Sequence, residues 1–113
     1  MEKKVFMNVL QDQHQLEVLK RESLVLIVQI GSSTCNPCIA IKQRIDLYLK
    51  NKSDVSAIYI PLESYRELIA SYKIFSVPTV LVFVEGMLTV QKSGYFSLDE
   101  ILSNIDRYLE LLK

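Results

Sequence analysis

Few side chains in this sequence can carry bond-making chemistry, and two of them stand together. Thr34-Cys35-Asn36-Pro37-Cys38 holds both cysteines of the chain, and the single histidine is His14. Two thiols three positions apart on a helical turn can close a small disulfide ring. They also supply two of the four ligands of a tetrahedral metal. His14 lies in a polar stretch far from them, so a metal or cluster site would need a second copy of the chain or outside thiols. The third use is bland: two small apolar side chains packed in a helix. Position separates these readings. Ile41, Ile45, Tyr48 and Leu49 recur at spacings of three and four, which predicts a helix running from Cys35 to about Lys50 with the cysteines at its amino terminus. Pro37 suits a first turn, where a backbone N–H has no intrahelical use. Unpaired N–H groups and the positive end of the helix dipole stabilise a thiolate there, pulling a thiol down from its reference pKa of ~8.5. Cys35 is therefore the expected nucleophile. Cys38, deeper in the helix, is expected to stay protonated until it attacks the mixed disulfide.

The rest of the composition bounds the setting. At 113 residues, half of them apolar, the chain is expected to fold as a single domain over 1–113 with one core. Thirteen basic residues balance thirteen acidic ones, and no segment concentrates Lys and Arg as a nucleic-acid footprint would. Lys3-Lys4 and Lys50-Asn51-Lys52 are read as solvated ends. The amino terminus lacks the apolar run and cleavage site of a secretory signal, so a cytoplasmic location is expected. The longest apolar run, Leu24 to Val28 and on to Ile30, falls far short of the ~20 residues a membrane helix needs. Nucleic acid and membrane are both expected to be absent as partners. In a reducing compartment, a close cysteine pair calls for a redox or metal explanation rather than a structural cross-link.

The elements that position the pair can be read from periodicity. Lys4 to Met7 is a short apolar piece fit for an edge strand, and Gln13 to Arg21 carries Leu16 and Leu19 at helical spacing. Ser23 to Ile30 is nearly continuous and branched, as in a strand buried on both faces, and Gly31 to Thr34 is a loop. Val55 to Ile60 predicts a second central strand. Leu62 to Tyr72 predicts a helix with Leu62, Tyr65, Leu68 and Ile69 turned inward. After Val77-Pro78, Thr79 to Val84 is a strand, Glu85-Gly86 a tight turn and Leu88 to Gln91 an antiparallel partner. Ser97 and Glu100 have capping-box spacing at the start of a last helix through Leu112. The order β-α-β-α-β-α-β-β-α implies an α/β fold, a central mixed sheet flanked by helices on both faces. The cysteines fall at the carboxyl end of its first central strand, the usual edge for a site in such sheets. Tyr48, Tyr65, Tyr72 and Tyr108 are expected to pack helices on the sheet; Phe75 is a candidate to face a substrate. His14 is assigned no role.

The chain resembles the thioredoxin family over essentially its whole length. The resemblance rests on Cys35-Asn36-Pro37-Cys38, on Val77-Pro78-Thr79, where the family has a cis-proline opposite the redox pair, and on Gly94, where it has a glycine beside the same groove. It implies a thioredoxin-like fold and a thiol-disulfide oxidoreductase, in the first instance a protein-disulfide reductase with no cofactor beyond the Cys35–Cys38 disulfide. The implied substrates are disulfide-bearing proteins or small thiols, with a flavoenzyme reductase or a low-molecular-weight thiol as electron donor and the chain acting as a monomer. A cis bond before Pro78 would turn the N–H and C=O of Val77 toward a substrate chain. Gly94 would keep bulk off that edge or allow a bulge. Thr34, Asn36, Pro37, Val77, Pro78 and Gly94 thus form the implied substrate-facing set.

Four positions depart from the family pattern. Thr34 replaces its tryptophan, making that surface smaller and more polar, and Asn36 replaces its glycine between the sulfurs. Gln29 replaces a buried aspartate held to help deprotonate the second cysteine, and Tyr59 aligns with that aspartate's lysine partner. An amide takes no proton at neutral pH, so a slower resolving step, or an enzyme tuned for a narrower partner, is expected. These departures also leave open a thioredoxin-like module that binds partners without turning over.

Overall fold

The computed structural model describes residues 7–112. Its elements are β1 (Asn8–Val9), α1 (Gln13–Glu22), β2 (Val25–Gly31), α2 (Asn36–Leu49), β3 (Val55–Pro61), α3 (Arg66–Ser71), β4 (Thr79–Val84), β5 (Met87–Ser93) and α4 (Leu98–Leu112). The five strands make one sheet in the order β1-β3-β2-β4-β5. β1 and β2 each run parallel to β3, while β4 is antiparallel to β2 and to β5. The mixed sheet and its helices follow the order read from the sequence.

Side-chain alternation sorts the core into two layers. Val25 and Ile27 of β2 pack with Ile45 and Leu49 of α2 and with Ile101, Ile105 and Leu109 of α4. Leu26, Val28 and Ile30 point the other way, onto Leu16 of α1 and Ile69 of α3. β2 is buried along its whole length, which is why its sequence reads as a continuous apolar run rather than an alternating one.

The edge strand, α3 and β5 depart most from the sequence reading, and β2 runs Val25–Gly31, taking in the glycine expected in the loop. The edge strand was expected at Lys4 to Met7; of that stretch only Met7 is described, and it precedes the strand observed at Asn8–Val9. The helix expected from Leu62 begins only at Arg66. Leu62 N–H donates to Gly31 C=O at 2.8 Å, prolonging the β2·β3 ladder, and Tyr65 donates its hydroxyl to Leu10 C=O at 2.8 Å. Between those two anchors the chain turns, with Ser64 N–H on Pro61 C=O at 3.2 Å and Tyr65 N–H on Leu62 C=O at 3.4 Å, and α3 starts only after Tyr65. β5 outruns its expected limits at both ends because backbone pairing with β4 sustains it; its side chains are mostly exposed and leave little apolar signal.

Candidate active site

The site grows from the carboxyl end of β2. Register places Gly31 beside Pro61 of β3, and Ile30 opposite Thr79 of β4, so one further step sets Pro78 next to Gly31. On the outer side, Thr79 faces Ser93 and Gly94 N–H donates to Pro78 C=O at 3.0 Å. Pro61, Gly31, Pro78 and Gly94 therefore form a row across the end of the sheet, and the chain leaves this row at Gly31 to enter the cysteine loop.

That loop is short and tied. Cys35 N–H donates to Ser32 C=O at 3.2 Å. Ser33 donates both its N–H, at 2.9 Å, and its hydroxyl, at 2.8 Å, to one carboxylate oxygen of Glu63 in the loop after β3. These bonds, the Ser33 N–H first, hold the Glu63 carboxyl below its ordinary value. Cys35 is the residue that caps α2: its Sγ accepts the Cys38 N–H at 3.2 Å. A sulfur in that place meets an orphan helix donor and the positive end of the dipole. Pro37 sits in the first turn, where its missing donor costs nothing.

Cys35 and Cys38 are joined in a disulfide with their Cα atoms 5.3 Å apart. Cys35 is 9% exposed and Cys38 2%, so Cys35 is the more accessible of the two. Thr34, Asn36 and Pro37 are exposed around it. The Val77–Pro78 peptide is cis, with Val77 half-buried and Pro78 buried. The Thr79 hydroxyl fixes this turn from within, bonding Ser76 C=O at 2.7 Å and Ser93 Oγ at 2.6 Å. Gly94 takes a φ of +76°, and a Cβ there would meet nothing within 4 Å. Its backbone conformation, rather than crowding, favours glycine. The one irregularity in the β4·β5 register lies at Val82/Phe83, away from Gly94, so Gly94 marks no bulge. Phe75 is 79% exposed, and Tyr95, beside Gly94, is fully so.

Beneath the sulfurs the sheet is polar at one point. Gln29 is wholly buried; its Nε2 donates to Cys38 C=O at 2.8 Å and its Oε1 has no partner. Its neighbour in register is Tyr59, on the same face. A Cβ added to Gly31 would lie 2.5 Å from the Tyr59 hydroxyl and 3.0 Å from Cys38 Sγ. The sequence pattern places Gly31 in a loop and marks Tyr59 only as standing where the family has a lysine, so neither shows this contact. A glycine closing a buried strand, just before a chemical motif, was the available signal for close approach. Nothing local marked the Glu63 tie to Ser33. Among the described residues no group of three or more His, Cys, Asp or Glu side chains gathers as for a metal ion, and no helix is long and apolar enough to cross a membrane.

The family model described as Thioredoxin matches residues 5–107. The chain belongs to the thioredoxin family. Among curated relatives, thioredoxin of Mycoplasmoides gallisepticum is 22% identical over 87 residues, covering 77% of this chain and 87% of that protein. Chloroplastic thioredoxin Y of rice is 24% identical over 100 residues, 86% of this chain and 58% of its own length. Among solved structures, a mutant thioredoxin from Halobacterium salinarum superposes with a TM-score of 0.81 at 20% identity, covering 96% of this chain and 94% of that one. Thioredoxin of Fasciola hepatica gives 0.78 at 22% identity, over 90% and 99%. These superpositions establish the thioredoxin fold. Family membership together with the Cys35–Cys38 disulfide makes this member a thiol-disulfide oxidoreductase, a family whose members generally reduce disulfide-bonded proteins with electrons from a reductase.

Proposed function

We propose that this thioredoxin-family protein reduces disulfides in protein clients, with Cys35 as nucleophile and Cys38 as resolving thiol. The observation that carries the assignment is the capping bond: Cys35 Sγ accepts the Cys38 N–H at 3.2 Å at the start of α2, an environment that favours sulfur as an anion. The reduced Cys35 thiolate attacks a client disulfide, forming a bond to one client sulfur and expelling the other as thiolate. Cys38 then attacks Cys35, the internal disulfide forms, and the second client sulfur leaves reduced. Electrons return to the pair from a flavoenzyme reductase or a low-molecular-weight thiol.

An extended client segment would lie along the turn at Pro78. Val77 offers it a backbone N–H and C=O in the manner of an added strand, and Thr34, Asn36, Pro37 and Gly94 border the same approach. The exposed Phe75 ring adds an apolar contact for the client. The protein acts as a single domain and a monomer in the cytoplasm, without a metal or organic cofactor.

Iodoacetamide alkylation of the reduced protein, followed against pH, tests the roles of the sulfurs. Cys35 should react as a thiolate at pH values well below the ~8.5 of an ordinary thiol, with Cys38 spared. An ordinary titration at Cys35 would leave a binding module with an incidental pair, and stoichiometric zinc or iron in the purified protein would favour a bridging dimer. With Gln29 in place of a carboxylate, turnover of insulin disulfides should be slower than that of thioredoxins that carry one; equal rates would count against a slowed resolving step.

A further inference from the structure

The geometry points to Tyr59 as a residue that acts on the reaction through Cys38, its hydroxyl donating a hydrogen bond to the Cys38 sulfur as that sulfur becomes an anion. This rests on Cys38 being the resolving thiol, and it assigns a partner to a step that otherwise has none. Gly31 is what lets the two groups meet. The position its Cβ would occupy is 2.5 Å from the Tyr59 hydroxyl and 3.0 Å from Cys38 Sγ, so the oxygen and the sulfur can be no further apart than those two distances together allow. Register puts Tyr59 next to Gln29, whose Nε2 holds the Cys38 carbonyl at 2.8 Å. The backbone of Cys38 is thus anchored from β2, and its sulfur and the Tyr59 hydroxyl both close on the space over Gly31.

Among the described residues, Glu63 is the charged group that acts on the Tyr59 hydroxyl, and the neighbouring elements carry the following titratable groups. β2 offers only the neutral Gln29. α2 offers Cys38 and, one and two turns on, the Lys42–Asp46 ion pair at 3.4 Å. The loop after β3 offers Glu63. Burial and then the Glu63 charge hold the Tyr59 hydroxyl above its ordinary pKa, so it stays a phenol and serves as a donor, never as the base. In the resolving step a Cys38–Cys35 bond forms, the Cys35–client bond breaks, and its electron pair leaves on the client sulfur. The proton released by Cys38 ends on that sulfur or in solvent. Tyr59 keeps its own proton throughout, lowering the cost of the sulfur anion.

DTNB, an aromatic disulfide that releases a coloured thiolate, separates the two half-steps of the reduced protein in stopped flow. The first release reports attack by Cys35 and the second reports resolution by Cys38. In Tyr59→Phe, which keeps the ring and removes the hydroxyl, the first phase should be unchanged. The second should slow about tenfold near neutral pH, the loss of one hydrogen bond to a charged group, with its pH profile displaced upward by about one unit. Tyr48→Phe, at the far end of the same helix, should alter neither phase. A second phase whose rate and pH profile match the parent overturns the proposal, as does equal slowing of both phases, which would mean general distortion. A parent protein with no first phase overturns it too, but by striking the role of Cys35 rather than that of Tyr59.

Discussion

Tyr48 and Tyr59 stand on the same face of the sheet, near opposite ends of α2, and each packs its ring against the same half of the core. In both, burial is the first cause of a phenol held above its ordinary pKa. Their hydroxyls live differently. Tyr48 donates to Asp106 of α4 at 2.7 Å, and Lys52 reaches the same carboxylate at 3.1 Å. That hydroxyl is spent on fastening α2 to α4. The Tyr59 hydroxyl makes no hydrogen bond to any described residue and lies instead over Gly31 beside Cys38. Two tyrosines with similarly placed rings thus differ at the oxygen: one closes a surface triad, and the other leaves its hydroxyl unpartnered among the described residues, over Gly31 and near the Cys38 sulfur. Residue type and burial do not separate them; the atom each hydroxyl faces does.

Gly31→Val should disturb the Tyr59 side most. Added atoms would fall on the phenol oxygen and Cys38 Sγ, and overpacking of this kind costs about 1–3 kcal/mol; urea unfolding would read the loss of stability, and DTNB would read a slowed second phase. Stability close to that of the parent would show the space above Gly31 to be softer than its distances indicate. Tyr48→Phe breaks the other side. It should cost about 1 kcal/mol, as for one hydrogen bond, while leaving thiol reactivity alone. Tyr59→Phe should do the reverse, with stability within about 0.5 kcal/mol of the parent and altered resolution. If both variants lost stability alike and neither changed the thiol chemistry, the contrast between the two hydroxyls would collapse.

The smallest effects concern acid. The Tyr48 hydroxyl bond, and after it Lys52, hold the Asp106 carboxyl below its ordinary 3.8, and the Ser33 bonds hold Glu63 below 4.5. A carboxyl whose folded pKa is depressed contributes stability in full above its unfolded pKa and loses it as pH falls through the folded value. Both ties should therefore hold at neutral pH and weaken only in the acid range. The Ser33 amide resonance should follow Glu63 with a midpoint under 4.5, the ordinary value. In Tyr48→Phe the Asp106 midpoint should move up toward 3.8, while that of Glu63 stays where it was. Movement of both together would mean that the two ends of the sheet are coupled.

Much of the fold could be read in advance because its strongest signals are local. The branched run through β2, the period of α4 and the turn at Glu85-Gly86 each declare themselves within a few residues. Ser97 behaves as its spacing implied, its hydroxyl accepting the Glu100 N–H at 3.1 Å. The boundaries that moved are those set by partners distant in sequence. Leu62 is held out of α3 by Gly31, Tyr65 by Leu10, and β5 is sustained by β4 despite exposed side chains.

The same division runs through the site. Sequence alone determined that the sulfurs would lie one turn apart at a helix start, because a cysteine pair with Pro37 between its members and an amphipathic period behind it has few other solutions. It also determined that no carboxylate would stand at position 29. What only the tertiary structure decided is which groups surround those sulfurs. Parallel pairing of β2 with β3 puts Gln29 beside Tyr59 and Gly31 beside Pro61, and antiparallel pairing of β2 with β4 brings up Pro78. A strand's own residues fix which face each side chain takes, but the neighbour across the ladder is chosen by register, and register is a property of the whole sheet.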